Sequence, residues 1–263
     1  MRSLFQIRGI LLSLRRRQDI MIEFDQLSEF FSDFFDYQAR GKFIYFDFHL
    51  HTTASQGVII PPSILAVLSG NTHLISVTDH NDIRGAIAAC ERGMNNVPGI
   101  ELVCEDGFEL LVYFRTLDQL EAFYIEDVEK NKHCYRARRT TRGVDYYLDL
   151  LAERDCYLSI PHINGLAQKN YLKHLPYMKS VLKRVNAVET YNHALPKNRN
   201  INAQIVRRAY QLEATFGSSA LIARELMSFY RYLGKEERRH HRMLEGLFRQ
   251  SMVSPLAQSW TGQ

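Results

Sequence analysis

The 263-residue sequence predicts a single catalytic-size α/β domain, and three observations predict it. Short apolar runs alternate with helix-periodic stretches, the pattern of βα units that pack parallel strands. The length, with 46% hydrophobic residues, suits one core, since an α/β barrel uses about 250 residues in one body. Histidines and acids collect at the ends of the strand-like runs, where barrel enzymes gather their chemistry.

The elements follow in order. Phe24, Leu27, Phe30, Phe31, Phe34 and Phe35 recur at helical spacing over 23–39, predicting an amphipathic helix that covers one end of the core. Gly41 ends it, and residues 42–51 read as a strand buried on both faces. Pro61 and Pro62 open a helix over 62–69, where the missing N–H does no harm. Strands are expected over 73–80, 97–102 and 108–114, with a helix over 83–93 between the first two. A helix over 144–154, a strand over 156–162 and a helix from Tyr171 to Arg184 follow. Then come a strand over 185–192, a helix from Ala203 to Thr215, a further short strand over 216–219, and helical sequence from Ala220 to Phe248. The expected organisation is a basic arm and amphipathic helix over 1–40, a catalytic domain over 41–222 and a helical extension over 223–263.

Charge and cysteines narrow the classes. Residues 1–20 carry Arg2, Arg8, Arg15, Arg16 and Arg17 against Asp19, which accounts for the whole net charge of +4. That arm touches a membrane or nucleic acid, or is a solvated amphipathic turn, or precedes a true start at Met21. The neutral remainder argues against a broad nucleic-acid surface. Cys90, Cys104, Cys134 and Cys156 form no CxxC pair and read as reduced thiols of a cytoplasmic protein. No apolar run approaches the roughly 18 residues that span a bilayer. The P-loop and GxGxxG signatures are absent, which argues against nucleotide-driven and dinucleotide-binding chemistry.

The candidate site lies at the strand ends. His49 and His51 are two apart in a strand and so point to the same side, where both rings can reach one ion. Asp79 and His80, Glu101, Glu109, His162 and Asn192 fall at other strand ends. Imidazole nitrogen with carboxylate oxygen suits zinc, iron or manganese.

The wording of these segments resembles the PHP family of metal-dependent phosphoesterases, named for polymerases and histidinol phosphatases. The likeness is carried by FDFHLHTTASQG (46–57), ISVTDHNDIRGAIAA (75–89), VPGIELVC (97–104), SIPHING (159–165) and NAVETYN (186–192). It runs over about residues 43–220. The resemblance implies a distorted seven-stranded (β/α)7 TIM-like barrel with up to three metal ions at the strand ends, hydrolysing phosphate esters with metal-activated water. It makes His49, His51, Glu101 and His162 metal ligands, and His80 the histidine of the second motif. Four positions depart from it. Gln56 stands where the family has an aspartate, Glu109 where it has a histidine, and Ser219 and Leu221 where it closes with an aspartate and a histidine. One or two divalent ions are therefore expected, with Glu109 joining Glu101 and His162 as an oxygen ligand.

The expected activity is metal-dependent hydrolysis of a phosphate ester in a small metabolite or nucleotide, with His80 and His162 as proton donors and Asp79 orienting His80. Arg136, Arg138, Arg139 and Arg142 lie in the basic run 130–142, and arginine forks suit phosphate oxygens. Asn192 and His193 are further candidates for substrate contact. Two alternatives stand beside this: a non-catalytic module of the same fold that has lost part of its metal site, and a nucleic-acid end-processing phosphodiesterase. Met227, Tyr230, Leu233, Met243, Leu244, Leu247 and Phe248 repeat at helical intervals, a stripe that packs on the domain or joins a homo-oligomer. The RRHHR tract at 238–242 reads as a solvated face.

Overall fold

The computed structural model describes residues 29–32, 34, 46–70, 73–133 and 139–235. The basic arm, most of the helix expected over 23–39, Arg136 and Arg138, and the C-terminal stretch from 236 lie outside them.

Seven strands occur among the described residues. β1 (Phe46–Leu50) pairs in parallel with β2 (Leu74–Val77), and every residue of both is buried. The second sheet runs β3 (Gly99–Val103), β4 (Glu109–Phe114), β5 (Cys156–Ile160), β6 (Ala187–Asn192), β7 (Glu213–Gly217) in that spatial order. β4 is antiparallel to β3 and β5, whereas β5, β6 and β7 are parallel. The expected all-parallel arrangement fails at β3–β4 because the chain turns back within Cys104–Phe108. A parallel return needs a crossover of about a dozen residues.

The closed seven-stranded barrel is also not what forms. The two sheets are separate, and the five-stranded one stays open. At both seams side chains share the cross-links with a few main-chain bonds, and no continuous ladder forms. At the β2–β3 seam Asn96 Oδ1 accepts the Val77 N–H at 2.9 Å and Ser76 Oγ donates to the Val97 carbonyl at 2.8 Å. Isolated bridges join Ile75 to Asn96 and His80 to Glu101 there. At the β7–β1 seam Asp47 Oδ1 accepts the Ser218 N–H at 2.9 Å, and the Ser219 N–H reaches the His49 carbonyl at 2.7 Å. The architecture is a mixed α/β fold.

The helices follow local chemistry. α1 (Glu29–Ser32) carries Phe31, stacked on Phe48 of β1 at 4.2 Å and edge-on to Tyr113 and Tyr157. The Tyr113 hydroxyl donates to the Phe48 carbonyl at 2.7 Å and locks β4 under β1. α2 (Pro62–Ser69) and α3 (Arg84–Glu91) follow β1 and β2. Thr116 and Gln119 form a capping box on α4 (Leu117–Phe123). α5 (Val144–Leu151) precedes β5. The single helix expected from Tyr171 to Arg184 is two short pieces, α6 (Tyr171–His174) and α7 (Met178–Val181). Pro176 lies between them, where its ring and missing N–H bar continuous helix. α8 spans Lys197–Tyr210 rather than 203–215, opening behind Pro196 and ending at Gln211 in the left-handed region (φ 57°). Glu213–Gly217 is thereby released to pair with β6. A last helix, α9, covers 223–235. No helix among the described residues is long and apolar enough to cross a membrane.

Candidate metal centre

Glu101, midway along β3 and 1% exposed, is the hub of the site. Three imidazoles face its Oε2: His49 Nε2 at 3.3 Å, His51 Nε2 at 3.4 Å and His80 Nε2 at 3.1 Å. His162 Nε2 lies 3.3 Å from Oε1. The strand alternation of β1 delivers His49 and places His51 just beyond its end, with ring centroids 5.0 Å apart. The His51 and His80 rings stack at 4.5 Å. His162, after β5, adopts φ 30°, a left-handed conformation costly for a residue with a Cβ.

Behind His49 stands Glu189 of β6. Its Oε1 is 2.9 Å from His49 Nδ1, and its Oε2 accepts the His162 N–H at 2.7 Å and Asn192 Nδ2 at 2.9 Å. Glu189 did not emerge from the sequence. The available signal was an acid in the middle of a buried strand, where an unpaired carboxylate is too costly to survive.

Burial opposes charge on His49, His51, Glu101 and Glu109, and at three of them neighbours outweigh it. Glu189 and Glu101 overcome burial to raise His49 well above its usual 6.5. Burial and then His80 hold His51 well below it. His49 and His80 overcome burial to keep Glu101 well below the carboxylate range. Burial and Glu101 push Glu109 up, but His162 and Lys169 outweigh them and bring it to about 2.

The donor set fits a divalent ion. His49, His51 and Glu101 each offer a ligand atom within 4.8 Å of the others, and His80, Glu101 and Glu109 form a second such group. A tetrahedral zinc with bonds of about 2.0–2.1 Å spaces its ligands about 3.3 Å apart. The His49–Glu101 and His51–Glu101 separations of 3.3 and 3.4 Å match that edge. Neutral nitrogen with carboxylate oxygen is a set for zinc, manganese or iron.

The remaining sequence candidates separate. Asp79 does not reach the His80 ring. Its Oδ1 accepts from the Thr52 N–H and Ser55 Oγ, and its Oδ2 from Thr52 Oγ1, each at 2.7 Å. Ser55 Oγ in turn accepts the His80 N–H at 2.9 Å, so Asp79 shapes the backbone beneath His80. Asn192 is buried against Glu189 and Asn200. His193 spends both ring nitrogens on Tyr191 and Ser228. Arg139 donates to the Glu105 carbonyl, and Arg142 donates to Asn131 and covers the Tyr146 ring. Arg136 and Arg138 lie outside the described residues. Gln56 is exposed, Ser219 follows β7 beside His49, and Leu221 lies beside Ile59, neither with an imidazole or carboxylate.

No family model and no curated protein matches the chain. Solved structures do. A lesion-specific endonuclease from Pyrococcus furiosus superposes with TM-score 0.52 at 15% identity, over 67% of this chain and 48% of that one. An amidohydrolase from Chromobacterium violaceum, with bound sulfate and no metal, gives 0.50 at 12% identity, over 68% and 88%. A protein from Bifidobacterium adolescentis assigned as a metal-dependent phosphoesterase gives 0.49 at 12%, over 68% and 88%. The likenesses to the first two show a shared fold.

Proposed function

We propose that the chain is a metal-dependent hydrolase of phosphate esters. The observation that carries the reading is the convergence of four imidazoles on the buried Glu101 carboxylate, at spacings an ion would require. The fold shared with hydrolytic enzymes supports it. His49, His51 and Glu101 would hold the ion, with Glu189 fixing the His49 ring so that Nε2 faces inward. When bound, a divalent ion supplies Lewis acidity toward water and a phosphoryl oxygen. His80 is the most open of the four imidazoles, its side chain 13% exposed, and can hold a proton at Nε2 for a leaving alkoxide. His162, between Glu101 and Glu109, is the second candidate proton carrier. Arg84 and Lys132, both near Asp82 two residues beyond His80, give the rim a positive edge that suits an anionic ester.

A second reading, a binding module without catalysis, is favoured by Ser219 and Leu221, which bring no imidazole or carboxylate after β7. The two are separated by stripping the protein, reloading it separately with zinc, manganese and iron, and assaying phosphate mono- and diesters. The hydrolase reading expects turnover that returns with metal and falls at least a hundredfold in His49→Ala and His51→Ala. Turnover unchanged in both variants removes the cluster from the reaction, and failure to take up any metal supports the module. Preference for diesters, with salt-dependent retention on single-stranded nucleic acid, would shift the substrate to a nucleic-acid end.

A further inference from the structure

The corner of the site at Glu109 is built differently from the rest. Its buried Oε2 lies 2.9 Å from His162 Nε2 and also 2.9 Å from the ammonium of Lys169. The Tyr171 hydroxyl accepts the Glu109 N–H at 3.1 Å and donates back to the same Oε2 at 3.3 Å. This carboxylate oxygen therefore already has three donors, one of them a full positive charge.

Lys169 is delivered by a closed loop. After His162 the chain folds back, the Gly165 N–H meeting the His162 carbonyl at 2.6 Å and the Lys169 N–H the Leu166 carbonyl at 3.1 Å. Ala167 sits at φ 49° within that turn. A side chain at Gly165 would come within 2.7 Å of the Lys169 carbonyl and 2.9 Å of its Cβ, so only glycine lets the two turns approach. Arg199 of α8 clamps the loop from outside, donating to the Gly165 carbonyl at 3.3 Å. The Lys169 side chain is 50% exposed, and its ammonium meets Glu109 through one carboxylate oxygen. An ammonium has three donors, and one carboxylate oxygen uses one of them.

We propose that Lys169 is the fixed cation of this site: its ammonium binds an anionic oxygen of the substrate, and its pairing with Glu109 keeps the Glu109–His162 corner free of a second ion. The inference rests on the metal-dependent reading above for the single ion, and on the loop geometry for the anion contact. A dication on Glu109 Oε2 would stand beside the ammonium, like charge against like charge at low dielectric. A lysine at this point offers the charge of a second ion as a permanent part of the chain.

The test uses the full chain, wild type and Lys169→Gln, with Lys169→Arg as the charge-conserving control. Two quantities are read: bound zinc and manganese per chain by elemental analysis, and affinity for inorganic phosphate by calorimetry. One equivalent of metal is expected in the wild type. Phosphate binding should weaken at least tenfold in Lys169→Gln and less than threefold in Lys169→Arg. Two equivalents in the wild type, or phosphate affinity unchanged in Lys169→Gln, would overturn the proposal. A wild type that takes up no metal would sink the hydrolase reading instead, and the phosphate measurement would then decide Lys169 by itself. Should Lys169→Gln fail to fold, the Glu109→Gln/Lys169→Gln double variant, which removes both charges, is compared with Glu109→Gln and the same tenfold loss is expected.

Discussion

Replacing Glu189 with glutamine is the most direct probe of how the histidine cluster is held. Glu189 Oε2 accepts from the His162 N–H at 2.7 Å and Asn192 Nδ2 at 2.9 Å, while Oε1 faces His49 Nδ1 at 2.9 Å. A glutamine keeps most of these bonds by placing its carbonyl at the Oε2 position, since the opposite flip would aim an NH2 at two donors. Its NH2 then faces His49 Nδ1 and donates to it. The imidazole proton is driven to Nε2, the nitrogen that looks at Glu101 and would have to ligate an ion. The ion-free fold should lose about 1.5–3 kcal/mol, the contribution of one charge-assisted bond. Metal affinity should fall by about 10- to 100-fold, the usual effect of removing a partner behind a metal-bound histidine. That corresponds to about 1.4–2.8 kcal/mol. Competition of wild type and Glu189→Gln against a chelator of known zinc affinity measures it, alongside urea melts of the metal-free proteins. A zinc affinity within twofold of wild type in a variant that still folds would refute the role assigned to Glu189.

Four further outcomes follow. Glu109→Gln should leave the bound-metal count unchanged while loosening Lys169, and loss of an equivalent by elemental analysis would show that Glu109 ligates after all. Gly217→Ala should lower the urea midpoint by about 1–3 kcal/mol of stability, as overpacking does. Its Cβ would come 2.5 Å from His49 Cβ and 2.6 Å from His49 N at the β7–β1 seam, and an unchanged midpoint would show that the seam yields freely. Gly85→Ala should be at least as damaging, because its Cβ would fall 2.0 Å from Asp79 Oδ2 and 2.5 Å from Thr52 Oγ1, again read by urea melts. Burial lowers His73 from 6.5 to about 4, so its neutral form is the folded form. Stability is then full above pH 6.5 and is lost as pH falls from 6.5 toward 4, a slope that His73→Phe should flatten in melts across that window.

The residues gathered around Glu101 were legible because their signals are local. His49 and His51 share a side by strand alternation, and Glu101, Glu109 and His162 each stand at a polar break in an apolar run. The boundaries at α2, β4 and β6 were likewise written in proline placement and β-rich runs. Asp79 was misassigned because proximity in sequence to His80 says nothing about the Thr52 and Ser55 hydroxyls that the fold brings to it. The helix expected over 203–215 moved because amphipathic periodicity extends equally well in either direction, and its ends depend on Pro196 and on the left-handed Gln211.

By itself the sequence determined the alternation of strands and helices, the inward-facing histidines, and the absence of ligating groups at Ser219 and Leu221. Only the tertiary structure decided how the strands join. The direction of β4 follows from the short return over Cys104–Phe108. The openness of the sheet depends on which groups meet across seams between distant segments, Asn96 with Val77 and Asp47 with Ser218, and no local periodicity encodes such pairings. The same holds for Glu189 and Lys169. Each is an ordinary charged residue in its own segment, and each acquires its role only because folding buries a partner, His49 or Glu109, within hydrogen-bonding distance of it.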